Sequence, residues 1–214
     1  MQNQTSNHRK IKTEQFMNYI SSQFGNPRGL IGHLVGLIMA YENRARNQWA
    51  LSLLDIQPTD RILEIGFGPG WAVQKASKLA YEGLVAGVDR SMTMVKQAAM
   101  RNRLEIKSGH VSLRLGTATE IPFGNGVFNK VYAVNSFHEW DNPMLGLQEI
   151  RRVLTRGGFL LIVEHPHEMS TETKIQELQT SLSEKLSKTD FIHIQLEIKH
   201  IQKRPALAMQ AIRS

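Results

Sequence analysis

The chain contains no cysteine. That absence removes disulfides, cysteine nucleophiles and thiolate metal sites, and it suits a cytoplasmic protein. Long apolar runs are also missing. The longest apolar stretch, Leu30 to Ala40, is interrupted by Gly32, His33 and Gly36 and falls short of the roughly 20 apolar residues that cross a bilayer. The first ten residues are polar and carry no apolar core of a secretory signal. No internal repeat and no low-complexity segment is present. A soluble, cytoplasmic protein without a transmembrane segment is therefore the expectation.

What is present describes one α/β domain. At 214 residues, 41% hydrophobic and 21% charged, the chain is long enough for a substantial core. The formal charge of +7 raises a nucleic-acid reading. The basic residues are spread out, however, and the densest region, Arg101 to Arg114, reads as the solvated end of a helix and the loop after it. Anionic substrates and an anionic membrane surface stay open, and no stable nucleic-acid partner is expected.

The stretch from Arg61 to Trp71 organises the rest. Ile62, Leu63 and Ile65 form a short apolar run, the pattern of a strand buried on both faces. Gly66, Gly68 and Gly70 follow, and then a helical pattern expected from about Pro69 to Tyr81. Such a turn brings bare backbone and a helix N-terminus up to a ligand. Glu64 stands out, because a carboxylate in a buried strand is costly unless it is paired or hydrogen-bonded. The dinucleotide fingerprint fits Gly66 and Gly68 but requires a third glycine where Trp71 stands. A nicotinamide oxidoreductase is accordingly disfavoured.

Further elements follow in order. Leu84 to Asp89 is a second buried strand whose terminal acid is placed to accept both hydroxyls of a ribose, or to cap the helix Met92 to Asn102. His110 to Leu115 is a third strand, leading into Gly116-Thr117-Ala118-Thr119. Phe128 to Val134 is a fourth, ending at Asn135-Ser136-Phe137-His138-Glu139-Trp140. A helix over Leu145 to Leu154 is expected to close on the Gly157-Gly158 pair as its C-cap, followed by a fifth strand, Phe159 to Val163. A helix over Thr171 to Leu186 and an antiparallel pair, Phe191 to Ile201 with Ala206 to Ile212, complete the domain. Upstream, Leu30 to Leu54 reads as one long or broken helix packed over the sheet edge, with Tyr19, His33, Met39 and Tyr41 as candidate pocket residues. The division expected is 1–48 for a tail and cap helices and 49–214 for the main domain.

The spacing Glu64-x-Gly66-x-Gly68-x-Gly70, with Asp89 at the next strand tip and the run Glu149-x-x-Arg152-Val153-Leu154…Gly157-Gly158, resembles the class I S-adenosylmethionine (SAM)-dependent methyltransferases, type 11 subgroup. The segment Phe24 to Leu30 also resembles a group of small bacterial type 11 proteins. The resemblance implies a Rossmann-like fold: a seven-stranded, mostly parallel sheet with an antiparallel last strand, helices on both faces and an N-terminal helical lid. It implies SAM as cofactor, S-adenosylhomocysteine as product, and no metal. The cofactor-binding residues it implies are Glu64, Gly66, Phe67, Gly68, Gly70, Asp89, Arg90, Thr117, Ala118, Asn135 and Ser136. Thr117 stands where the family carries an Asp toward adenine, and Asn129 where it carries an Asp at the start of strand four.

His138 and Glu139 are the candidate general bases should the acceptor lose a proton. His165 and His167 lie on the same sheet edge and with Glu168 suggest a metal, but the run Glu-His-Pro-His-Glu breaks at its proline, and none is expected. The function expected is methyl transfer to a small molecule, possibly anionic. RNA or protein acceptors and a non-catalytic SAM- or nucleotide-binding module are the alternatives.

Overall fold

The computed structural model describes residues 43–165, 172–202 and 204–214, without the side chain of Glu172. The candidates Tyr19, His33, Met39 and Tyr41, together with His167 and Glu168, lie outside them. In chain order the elements are α1 (Arg44–Leu53), β1 (Arg61–Ile65), α2 (Trp71–Leu79), β2 (Leu84–Asp89), α3 (Met92–Arg101), α4 (Arg103–Lys107) and β3 (Val111–Leu115). They continue with β4 (Phe128–Val134), a 3-10 turn (Phe137–Glu139), α5 (Pro143–Val153), β5 (Leu154–Glu164), α6 (Glu172–Lys188), β6 (Phe191–Ile201) and β7 (Arg204–Arg213). Helix α1 runs across position 48/49, where the sequence suggests a division.

One seven-stranded sheet has the order β3-β2-β1-β4-β5-β7-β6. The first five strands are parallel, and β7 runs antiparallel to both β5 and β6. Alternation along each strand sorts the side chains into two cores. Leu63, Ile65, Val131, Ala133, Leu160 and Ile162 face α5 and α6, where Leu147, Ile150, Leu182 and Leu186 meet them. Ile62, Val85, Tyr132, Val134, Leu161 and Val163 face α1, α2 and α3, against Trp49, Ala72, Val73, Ala76 and Ala98. This is the Rossmann-like arrangement expected. It leaves β1 central, covered on both faces.

The reversal in strand order between β1 and β4 matters most, because a crevice opens above the carboxyl ends of strands at such a point. Helix α1 contributes to the far side of that crevice. Beneath it, at the opposite end of the sheet, Asn129 has a structural role. Its side chain accepts the Arg61 N–H at 2.8 Å and donates to Asp60 at 2.6 Å, so it joins the starts of β1 and β4.

One expectation needs correction. The helix α5 ends at Val153, and Leu154 is already extended and paired with Phe128. The register then jumps, with Lys130 opposite Phe159. The glycine pair therefore sits in an irregularity inside β5, and Leu154, whose N–H reaches the Ile150 carbonyl, is the C-cap. A tight bulge and a helix C-cap both favour glycine, which is why the two are easily confused. The sequence also treats the stretch after Arg101 as loop, whereas a short helix, α4, forms there.

Burial separates two leucines sharply. Leu161 is fully buried and Leu115 is 48% exposed. In urea unfolding, Leu161→Ala is expected to cost about 2–5 kcal/mol. Leu115→Ala should stay within about 0.5 kcal/mol of the wild type. Equal effects would contradict the two-faced core described above.

Candidate functional site

The carboxyl ends of β1, β2, β3 and β4 open into a cavity of about 1060 Å³, measured out to its mouth. Of the residues singled out from the sequence, Glu64, Gly66, Phe67, Gly68, Asp89, Arg90, Thr117, Ala118, Asn135, Ser136 and Glu139 all line it. Gly70 and His138 do not. Five separate elements of the chain thus converge on one space.

The glycine turn is held in shape by the protein's own bonds. The Gly66 N–H donates to the Val88 carbonyl at 2.7 Å and the Gly70 N–H to the Phe67 carbonyl at 3.0 Å. From behind, Arg101 Nε donates to the Pro69 carbonyl at 2.9 Å and Asn102 Nδ2 to the Gly70 carbonyl at 3.1 Å. Gly70 has φ of +75° and caps α2. A Cβ there would lie 2.6 Å from Ala98 Cβ and 2.8 Å from Asn102 Nδ2. Close packing against α3 therefore calls for glycine at this position. Gly68 differs: at φ of +52° a Cβ would meet no atom within 4 Å, so the space beside it is open.

Two buried carboxyls dominate the electrostatics. Glu64 accepts the Tyr132 hydroxyl at 2.7 Å, its neighbour across the β1–β4 register, and the Val73 N–H in the first turn of α2. A helix N-terminus is where a negative group is best tolerated. Even so, burial outweighs these bonds, and with Asp89 close by it pushes the Glu64 pKa up to about 8. Asp89 Oδ2 accepts the Gly68 N–H and Oδ1 the Ser91 N–H, both at 2.8 Å. Burial raises its pKa as well, against those two bonds and the charge of Arg90. The helix cap is Ser91, whose hydroxyl accepts the Met94 N–H, so Asp89 is left to face the cavity and brace the glycine turn.

The β4 tip forms the opposite wall. Asn135 has φ of +49°, a left-handed conformation that a non-glycine residue adopts at some energetic cost. Its carboxamide bridges Asn43 at 2.5 Å and His165 Nδ1 at 3.1 Å, linking α1's leading end to the tips of β4 and β5. The Ser136 hydroxyl donates to the Ile65 carbonyl at 2.7 Å. Glu139 is held by Arg90, whose guanidinium reaches its carboxylate at 3.1 Å and its carbonyl at 3.0 Å. His138 lies behind this wall. Its Nδ1 meets Glu164 at 2.8 Å and its Nε2 lies 3.6 Å from Glu139. Burial works against a charged ring, but Glu164 and then Glu139 outweigh it and raise the pKa.

The run Glu149-x-x-Arg152 fastens the wall that follows β3. Arg152 donates to the carbonyls of Ile121 and Phe123 at 2.9 and 2.8 Å, and Glu149 accepts the Ile121 N–H at 3.0 Å. The guanidinium beside Glu149 holds its carboxyl below the usual range. Thr117 and Thr119 share a hydroxyl hydrogen bond at 3.0 Å.

Sequence reasoning misses several lining residues: Asn43, Asn47, Trp71, Met94, Thr119, Trp140 and Asp141. Trp140 packs on Phe137 with ring centroids 4.8 Å apart. It fits only because Gly146 of α5 has no Cβ, which would stand 2.7 Å from the indole. That glycine inside a helical pattern is the one local signal for it. Glu164 is missed because an acid at a strand end ordinarily reads as solvated, yet it is 2% exposed.

A family model described as methyltransferase domain matches residues 63–162. An uncharacterized methyltransferase of Bacillus subtilis (strain 168), YdaC, is 32% identical over 179 residues, spanning 83% of this chain and 96% of that protein. A putative methyltransferase of the same organism, YrhH, is 36% identical over 105 residues, 49% of this chain and 57% of its own length. Among solved structures, a SAM-dependent methyltransferase from Aquifex aeolicus superposes with a TM-score of 0.64 at 17% identity, covering 78% of this chain and 89% of that one. This last likeness is one of fold.

Glu64 yields a pH test. Below its unfolded value near 4.5 it is protonated in both states and costs nothing. As pH rises toward about 8, the unfolded chain loses the proton while the folded chain keeps it. Folding stability therefore falls across that window and levels off above it. In urea unfolding, Glu64→Gln should remove this part of the slope. Parallel profiles for wild type and variant would show that Glu64 ionises normally.

Proposed function

The chain belongs to the class I SAM-dependent methyltransferases, and we propose that it methylates a small molecule admitted to the cavity that also takes SAM. The observation that carries this reading is the acid-rich lining of that cavity. Among the described residues its lining holds four carboxyl groups, Glu64, Asp89, Glu139 and Asp141, against one cation, Arg90. An acid-rich, partly enclosed space suits a ligand bearing a sulfonium and an ammonium. The open side of Gly68 gives backbone access beside it. SAM, when bound, supplies a methyl group on a sulfonium already activated by its positive charge.

The residues divide the work. Asp89 offers carboxylate oxygens to a ribose while bracing Gly68. Glu64, at the N-terminus of α2, stabilises positive charge through the glycine turn. Ala118 and Thr117 form the wall for a flat ring, and Asn135 with Ser136 forms the edge nearest β1. Holding the reacting groups in line contributes up to roughly 7–11 kcal/mol of entropic advantage. Should the acceptor lose a proton, Glu139 is the group on the cavity wall. His138, between Glu139 and Glu164, stands behind that carboxylate and does not line the cavity.

A small-molecule acceptor is supported by the concave shape of this space, which gathers a few polar groups from several strand ends around one opening. Asn43 and Asn47 add neutral amides on the α1 side. The acid-rich lining favours an acceptor whose reacting end is neutral or cationic over the anionic one that the overall charge suggests.

The test is thermal melting with S-adenosylhomocysteine, SAM, NAD and ATP in parallel. A ligand at a hundredfold excess over its Kd stabilises by about 2.7 kcal/mol, on the order of 5–10 °C for a chain of this size. The two sulfur nucleosides should shift the wild type, and Asp89→Asn and Gly68→Ala should each weaken binding at least about tenfold. Shifts with NAD instead, or undiminished shifts in both variants, would overturn the assignment.

A further inference from the structure

The net charge of the protein is unevenly placed. Between Met92 and Leu115 stand Lys96, Arg101, Arg103, Lys107 and Arg114 against one acid, Glu105, so these 24 residues carry more than half of the formal +7. The same segment holds Met92, Met100, Leu104 and Leu115, which are 49, 66, 68 and 48% exposed. They are four of the nine large apolar side chains left exposed among the described residues. Exposed apolar groups and uncompensated cations thus coincide on one side of the molecule, next to the edge strand β3.

The spacing makes them one surface. Met92, Lys96 and Met100 recur every fourth residue along α3, opposite its buried face of Met94, Gln97 and Ala98. Directly after Asn102, Arg103, Leu104 and Lys107 are exposed on α4, a helix with no buried residue. Lys96, Arg103 and Lys107 make no ion pair among the described residues.

We propose that the α3–α4 face is a docking surface for an anionic lipid bilayer. Cations interleaved with long aliphatic side chains fit the boundary between headgroups and acyl chains. A nucleic acid is a poorer fit, because single strands are held by stacking on aromatic rings and no Phe, Tyr or Trp occurs from Met92 to Leu115. A second copy of the chain is also a poor fit, since two such faces would oppose like charges. The proposal does not depend on the reading of the cavity.

The test is co-sedimentation of the full chain with vesicles of phosphatidylcholine alone or mixed with phosphatidylglycerol. Binding is expected only to the mixed vesicles and should weaken as salt is raised. Each cation near an anionic surface adds about fivefold to partitioning, so Lys96→Gln/Arg103→Gln/Lys107→Gln should lose about a hundredfold. Met100→Ser/Leu104→Ser should lose about tenfold through lost apolar contact. All five positions are exposed, so both variants should melt with the wild type, which separates lost docking from misfolding. Absence of vesicle binding, equal binding to neutral vesicles, or capture of transfer RNA or an acidic polypeptide without vesicle binding would each overturn the proposal. So would a serine variant that binds vesicles as the wild type does, because the surface would then be merely electrostatic.

Discussion

A carboxyl group in the middle of a buried sheet is the constraint on which the rest of the site depends. Glu64 sits between β2 and β4 on the central strand, where an ionised carboxylate without partners would be prohibitive. The fold supplies a Tyr132 hydroxyl beside it and the first turn of α2 above it. Those groups make the acid tolerable without making it comfortable, and its pKa stays near 8. A site in this condition is completed by positive charge. Asp89, raised in the same direction and close enough to push the Glu64 pKa up, adds to that preference.

The glycine turn is the second half of the same arrangement. Its backbone is fixed from both sides, by Asp89 in front and by Arg101 and Asn102 behind. The surrounding walls are likewise tied to the sheet: Asn135 to α1 and β5, Glu139 to Arg90, and the segment after β3 to Glu149 and Arg152. A ligand entering such a cavity has little chain to order, which is the advantage of preorganisation. The methyl-transfer assignment rests on family membership, and the cavity gives it a physical basis.

Most of the architecture is legible in the sequence. The strands Leu84–Asp89 and Phe128–Val134 have the limits that the apolar runs indicate, because a strand buried on both faces leaves little ambiguity about where it stops. The glycine turn, Asp89 and the Thr117–Ala118 wall are equally plain, since each is a local pattern. What is not legible is set by long-range contact. Asn43 and Asn47 reach the cavity only because α1 folds back over the tip of β4. Glu164 becomes a buried anchor only because Phe137 and His138 close over it. Gly157-Gly158 is misread because helix ends and strand bulges call for the same residue. His138 is placed one layer behind the wall by the 3-10 turn, which sequence spacing alone does not reveal.

On this reading a cationic ligand completes a cavity whose buried acid, Glu64, holds a proton beforehand. Calorimetric titration of S-adenosylhomocysteine, whose amino acid end carries the same ammonium as SAM, tests it directly when repeated near neutral pH in buffers of different ionisation enthalpy. The account predicts saturable binding with release of a proton, reduced or abolished in Glu64→Gln. Binding with no proton exchanged, or with the same exchange in the variant, would contradict the place given to Glu64, and no binding at all would contradict the site.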